Sequence, residues 1–374
     1  MSNQTISLRQ YMAVVFVALF SPASRLIPRA SIQAAGASSW VGVFVAAPIL
    51  LLLILLVRRL LKLGGEENGL AGAFEAAIGK TAGKYVTLVF GLWLVLYGGF
   101  LLRSGGERLV STVYTNGSVF SFMAAMLLPA VIAARGKTRF AIRCGCVIML
   151  AFGLTLILIF AASVPSVRWE DVWPPELGGE TLLSALPIVD VLSPWVYFSF
   201  LRGEVESGNH AVRRAFLGIA APLFAILVLL ITTIGILGVG LSEKLQFPFF
   251  VMIKNLRIFH VVERIEALVV MIWMMTDFVC IMLTLMSAAE AFRSCFGGKR
   301  KGYVLTLAAL MLLTGASIVT NSFSFQRFSE RIIPGIHLIL VFALLPAVLG
   351  IGVMRQRGGR GTDSVSFRGK DEKN

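Results

Sequence analysis

The chain alternates long apolar runs with short segments rich in basic residues, glycine and proline. A run such as "WVGVFVAAPILLLLILLV" (40–57) is continuous over nearly the length that a helix needs to cross a bilayer, roughly 20 residues. It does not show the ten-residue alternation of a membrane β-barrel. The pattern predicts about ten membrane helices, near 8–34, 40–60, 85–110, 118–134, 141–165, 185–205, 212–240, 261–290, 302–320 and 334–354.

Composition and charge agree with an all-α integral membrane protein. Of the 374 residues, 57% are hydrophobic and 14% are charged, and the mean hydropathy is +0.84. Most of the 34 lysines and arginines fall in every second loop and at the two termini, which predicts that both termini are cytoplasmic. The net charge of +14 is therefore expected to face lipid headgroups and not nucleic acid. Residues 1–355 are read as one transmembrane domain and 356–374 as a disordered cytoplasmic tail.

Two of the predicted helices contain a Ser-Pro pair, in "LFSPASRLIP" (19–28) and "VLSPWVYF" (191–198). Proline removes a backbone donor, and irregular backbone at membrane depth is tolerated where it lines a protein cavity. Matched interruptions in two halves indicate the central site of a transporter fold. We therefore predict a LeuT-like inverted repeat of five plus five helices, about 8–165 and 185–354, with broken first and sixth helices. The alternative is that each proline only kinks a packed helix.

Three charges inside predicted helices are candidates for a polar core or a proton or water pathway. Arg103 and Glu107 are spaced i, i+4 and can pair with each other, whereas Asp277 has no such local partner. Unpaired ions in the bilayer are costly, so all three are expected to face protein or water.

The two breaks predict where a small zwitterion would bind. Free amides at one half-helix end suit a carboxylate, and free carbonyls at the other suit an ammonium. Arg25 and Arg29 either meet an anionic group or extend to the outer interface. The predicted ligand contacts are Ser21, Pro22, Ala23, Ser24, Tyr97, Ser193, Pro194, Trp195, Val196, Phe198 and Thr276. For Thr276 the alternative is a hydrogen bond back to its own helix.

The cysteines and histidines do not suggest an enzyme. The four cysteines and three histidines are scattered, with neither zinc spacing nor an assembled triad. We therefore expect no metal, no cofactor and no catalytic residue.

Three stretches carry a resemblance to a known family. They are the opening "ISLRQYMAVVFVALFSPASRLIP", the Pro-rich "WEDVWPPELGGETLLSALP" (169–187) and "FPFFVMIKNLRIFHVVERIEALVVMIWMMTDF" (247–278). The order of these features, over nearly the whole chain, resembles the endospore germination permease family. These proteins are the B-subunits of spore germinant receptors, within the amino acid–polyamine–organocation superfamily.

The resemblance implies a LeuT-like fold that senses a small germinant, usually an amino acid, beside other receptor subunits in the spore inner membrane. A cation- or proton-coupled amino acid transporter is the alternative. Transporters of the superfamily often hold a cation, or a lysine in its place, between the first and the fifth or eighth helices. No lysine occurs within 141–165, which favours the receptor.

Overall fold

The computed structural model describes residues 6–112, 116–206, 211–256, 265–318, 325 and 328–368. Residues Glu263 and Arg264, which belong to the family-like stretch 247–278, lie outside this part of the chain. Apart from an isolated parallel bridge between Ile6 and Val205, the regular structure of the described residues is helical.

The first half of the chain forms six α-helices. They are α1 (Leu8–Ala35), α2 (Gly42–Gly64), α3 (Gly69–Ile78), α4 (Lys80–Thr112), α5 (Val119–Arg135) and α6 (Thr138–Ser163). Five of them match predicted membrane segments to within a few residues. The short helix α3 lies in the predicted loop 58–84 and was not anticipated.

The second half is more interrupted. Its α-helices are α7 (Gly179–Leu183), α8 (Ala185–Leu192), α9 (Trp195–Phe198), α10 (Ala211–Leu237), α11 (Val239–Ser242), α12 (Pro248–Lys254), α13 (Ile265–Phe296), α14 (Arg300–Ser317), α15 (Ile333–Leu338) and α16 (Leu345–Arg368). Two π-helical stretches, Phe328–Ile332 and Ile339–Leu344, flank α15 and join it to α16 in one continuous rod, here called the last helix. Helix α16 extends to Arg368, and disorder of the tail 356–374 stays a prediction.

Seven helical stretches of the described chain are long and apolar enough to cross a membrane. One of them, Leu8–Gly64, contains both α1 and α2, and the shorter apolar helix α5 comes in addition. The chain is therefore a multi-pass membrane protein. The number of crossings stays a prediction.

Helix α1 begins and ends where its sequence specifies. Ser7 caps it, because the amide of Gln10 donates to the Ser7 hydroxyl and the amide of Ser7 donates to the Gln10 side chain, both at 3.3 Å. Gly36, at φ +52°, ends it. Between these caps the helix is mostly buried, against α6, α8, α10 and α13.

The predicted break in α1 is wrong. Residues 21–24 are helical, and Pro22 and Pro28 both lie inside the helix. Proline is tolerated there because neighbouring helices enclose the segment. The Ser24 hydroxyl donates to the Ser21 carbonyl at 3.2 Å.

The predicted break at Pro194 is present. Helix α8 ends at Leu192, a turn at Ser193 and Pro194 follows, and α9 continues into the 3-10 helix Ser199–Glu204. The amides of Val196 and Tyr197 bond to the carbonyls of Ser193 and Pro194, both at 3.0 Å. The amides of Val196 and Tyr197 are therefore paired within the chain, and capture of a ligand by the helix ends stays a prediction.

Candidate functional site

A buried ion pair joins three helices at the centre of the bundle. Arg108 on α4 donates to the Asp277 carboxylate on α13, and the two side chains are 1% and 10% exposed. The hydroxyl of Ser21, on α1, donates to the same carboxylate and accepts from Arg108 at 3.0 Å. The two charges thereby neutralise each other inside the protein.

Trp273 extends this network along α13. Its ring lies 4.6 Å from the Arg108 guanidinium carbon, as a cation–π contact, and its indole nitrogen donates to the Ser24 hydroxyl at 3.0 Å. Gly105 makes room for the pair, since a Cβ at that position would lie 3.2 Å from an Asp277 oxygen. The close approach of α4 to α13 therefore depends on a small residue one turn before Arg108.

Arg108 was not singled out in the sequence, and no local partner for Asp277 was identified there. Arg103 and Glu107 pair with each other as expected, with Nη2 and Oε1 2.6 Å apart. Arg108 follows Glu107 directly, which rotates it by about 100° to the helix face that carries Gly105. The signal that could have found it is an arginine three residues after a glycine, on the close-packed face of the helix.

An open cavity of about 320 Å³ lies beside this network, toward the C-terminal end of α1. Its walls come from α1, α4, α8 and the last helix. The polar and charged lining residues are Arg25, Arg29, Ser104, Glu107, Asp190, Gln246, Ser329 and Glu330, and the apolar ones include Leu26, Pro187, Val191, Phe247, Phe325 and Leu338.

Two opposite charges in this cavity have no ionic partner among the described residues. Arg25 and Asp190 are each only 8% exposed, and neither forms a salt bridge there. Arg25 has a contact to the Phe100 ring, at 5.8 Å, and its Nε has no hydrogen-bond partner. One Asp190 carboxylate oxygen and the Ser104 hydroxyl also lack partners. The cavity thus offers a cation, a carboxylate and a hydroxyl to a ligand.

An ion pair at the cavity links α1 to the last helix. Arg29 Nη1 lies 3.3 Å from Glu330 Oε1, and both residues line the cavity. The contact therefore joins two walls of the cavity.

None of the predicted ligand contacts lines this cavity, so their contact with a ligand stays a prediction. Ser21 and Ser24 belong to the ion-pair network, and Thr276 donates back to the Trp273 carbonyl at 3.1 Å. The other predicted contacts are buried, namely Pro22, Ala23, Tyr97, Ser193, Pro194, Trp195, Val196 and Phe198. Asp190, four residues before Pro194, was overlooked although it is a carboxylate within a predicted membrane helix.

Tyr97 packs in an aromatic cluster around His337 of α15. The imidazole lies 4.8 Å from the Tyr97 ring, 5.5 Å from the Tyr197 ring and 5.3 Å from the Trp93 ring, measured between centroids. Neither His337 nitrogen has a hydrogen-bond partner. The cluster therefore packs α4, α9 and the last helix together. Among the described residues there is no group of three or more His, Cys, Asp or Glu side chains that could hold a metal.

Solved structures with the same fold are membrane transporters. The structure of MhsT in complex with L-phenylalanine is 14% identical in sequence and has a TM-score of 0.62. The match covers 94% of this chain and 89% of the MhsT chain. A substrate-bound, outward-open Na+-coupled sialic acid symporter is 13% identical, with a TM-score of 0.62 and coverages of 90% and 79%. Mhp1, a nucleobase-cation-symport-1 family transporter in a closed conformation with bromovinylhydantoin bound, is 11% identical, with a TM-score of 0.63 and coverages of 92% and 78%. The LeuT-like fold is confirmed.

A comparison of sequences identifies the family. The search of curated proteins gave no match. The sequence model of the spore permease family, described as spore germination protein, matches residues 5–326, which is most of the chain. The chain therefore belongs to the spore permease family of spore germination proteins.

Proposed function

We propose that this protein is a germinant-receptor subunit of the spore inner membrane, which binds a small amino acid in the cavity between α1, α4, α8 and the last helix. Binding there would contribute to the trigger of germination, together with other receptor subunits. The family and the transporter-like fold support a small-molecule ligand. The fold neighbour MhsT binds L-phenylalanine, which makes an amino acid the first class to test.

The observation that carries this proposal is the pair of unneutralised charges, Arg25 and Asp190, on one cavity. A buried ion without a partner is costly, and a zwitterion would neutralise both at once. Arg25 would hold the carboxylate, while Asp190 would accept hydrogen bonds from the ammonium. The volume, about 320 Å³, is at the lower end of small-molecule sites and suits a small amino acid.

The ion pair at the centre favours a receptor over a transporter. Arg108 places a permanent positive charge between Ser21 of α1 and Asp277 of α13. A coupling cation between the same two helices would have to compete with this guanidinium for the Asp277 carboxylate. An amino acid transporter coupled to protons or another cation remains the alternative.

Binding and transport can be separated in one preparation. Purified protein is reconstituted into proteoliposomes, and each labelled proteinogenic L-amino acid is tested for equilibrium binding and for time-dependent uptake under sodium and proton gradients. A receptor binds at least one amino acid and accumulates none. Concentrative uptake would assign the chain to the transporters, and binding of no amino acid would refute the proposed ligand class.

We also propose that the protein has no enzymatic activity and that it has a defined orientation in the membrane. Both termini would be cytoplasmic. A membrane-impermeant maleimide should then label a Lys62→Cys variant only from the cytoplasmic side of the membrane. It should label a Leu177→Cys variant only from the opposite side. The reverse pattern, in a protein without its four native cysteines, would contradict the orientation.

A further inference from the structure

A second, smaller cavity lies near the N-terminal end of α1. It has a volume of about 70 Å³, and its walls come from α1, α2, the α9 and 3-10 segment, and the start of α10. The polar residues that line it are Tyr11, Arg58, Glu66, Trp195, Ser199 and Arg202. The cavity is separate from the larger one, since the two share no lining residue.

Three buried hydrogen-bond donors of this cavity have no acceptor. They are the Tyr11 hydroxyl, the Trp195 indole nitrogen and the Arg58 Nε. Tyr11 and Trp195 are only 4% and 8% exposed. Trp and Arg side chains cannot accept hydrogen bonds from each other, and a buried donor left unpaired costs free energy. A ligand that fits this cavity is therefore a hydrogen-bond acceptor.

The charges indicate that this acceptor is an anion. The Glu66 carboxylate that lines the cavity lies 2.7 Å from Arg202 Nη2, so its charge is already neutralised. Arg58 then adds a positive charge to the lining. Arg213 and Arg214 lie at the start of α10, which packs against α2, and they add to the positive potential.

The surroundings indicate a lipid as the source of the anion. Leu52 and Leu55 of α2 and Phe216 and Leu217 of α10 are 66%, 42%, 46% and 57% exposed, and they lie close in sequence to lining residues Ile54 and Ala215. Acyl chains can cover these apolar side chains while a headgroup reaches the donors. Basic pockets between membrane helices on the cytoplasmic side, where the charge pattern places this end, bind anionic headgroups.

We propose that this cavity binds the phosphate group of an anionic phospholipid. Tyr11, Trp195 and Arg58 donate to the phosphate oxygens, and the acyl chains lie along α2 and α10. The site anchors the N-terminal half of α1 to the neighbouring helices, independently of any ligand in the larger cavity.

Native mass spectrometry of the purified full-length protein in detergent tests this site. The probes are phosphatidylglycerol, phosphatidylcholine and inorganic phosphate. The variants are Arg58→Gln and Tyr11→Phe, with Arg59→Gln as the matched control on the adjacent, exposed arginine.

We expect one tightly held phosphatidylglycerol, whose affinity falls about tenfold in Arg58→Gln and several-fold in Tyr11→Phe, and stays within about twofold in Arg59→Gln. Tyr11→Phe removes only one oxygen atom and should fold normally. The test can therefore use this variant if Arg58→Gln does not fold. An equal loss in Arg59→Gln would show general surface attraction and overturn the site. Equal binding of phosphatidylcholine, or displacement of the lipid by millimolar inorganic phosphate, would overturn an anionic lipid as the ligand.

Discussion

Arg108, Asp277 and Ser21 show how single residues tie the centre of this membrane protein together. One guanidinium, one carboxylate and one hydroxyl come from three helices and bond to one another. Removing one partner of such a pair leaves an uncompensated buried charge, which costs more than the intact pair contributes.

Asp277→Asn should therefore lower the free energy of unfolding by about 3–5 kcal/mol. The control is Asp171→Asn, which removes an exposed partner of Arg168 and should change stability by less than about 1 kcal/mol. Unfolding of both variants in detergent, followed by circular dichroism, measures the difference. Equal stability of the two variants would contradict a structural ion pair at Asp277.

The site was only partly predictable at this scale. A charge within an apolar run is visible in the sequence, and so are i, i+4 pairs such as Arg103 and Glu107. The partner of Asp277 was not visible, because Arg108 and Asp277 lie 169 positions apart and meet only through packing of α4 on α13. Asp190 is visible in the sequence as a carboxylate within an apolar run, three residues before the Ser-Pro pair.

The helices themselves were easier to predict than their contacts. Apolar runs fix where a helix can cross a bilayer, so predicted segments agree with α1, α2, α4, α5 and α6. The continuity of α1 at Pro22 was not predictable, because it depends on the helices that enclose it. The π-helical stretches on both sides of α15 carry no simple sequence pattern.

Helix α4 depends on its glycines for packing against α14. A Cβ at Gly99 would lie 2.1 Å from the Thr314 hydroxyl and 2.8 Å from the Gly315 amide nitrogen. Gly99→Ala should therefore force the two helices apart and lower stability by about 1–3 kcal/mol. At Gly153 of α6 a Cβ meets nothing within 4 Å, so Gly153→Ala should be neutral or slightly stabilising. Thermal unfolding of the two variants should differ clearly, and matching curves would argue against this contact.

At the scale of the whole molecule, α1 and the last helix meet at the larger cavity. Arg29 and Glu330 connect these two elements at 3.3 Å. The ion pair is partly exposed, so it adds little to stability, but it lies at the cavity where a ligand would enter.

Glu330→Gln should therefore raise both the association and the dissociation rate of a bound amino acid, with a smaller change in affinity. Stopped-flow binding measures the two rates, and Glu180→Gln, on a residue of α7 outside the cavity lining, is the control. Unchanged rates in Glu330→Gln would show that the ion pair does not control access.

The central claim is that Arg25 and Asp190 hold the two charges of one amino acid. The most direct measurement is equilibrium binding of the amino acid identified in proteoliposomes, compared with its carboxamide and its desamino analogue. We expect Arg25→Gln and Asp190→Asn each to weaken binding of the amino acid about 30-fold or more. The carboxamide should bind the native protein more weakly than the amino acid does, and Arg25→Gln should weaken its binding little further. The desamino analogue should likewise bind the native protein more weakly, and Asp190→Asn should weaken its binding little further. Native affinity in folded Arg25→Gln and Asp190→Asn proteins would contradict the account.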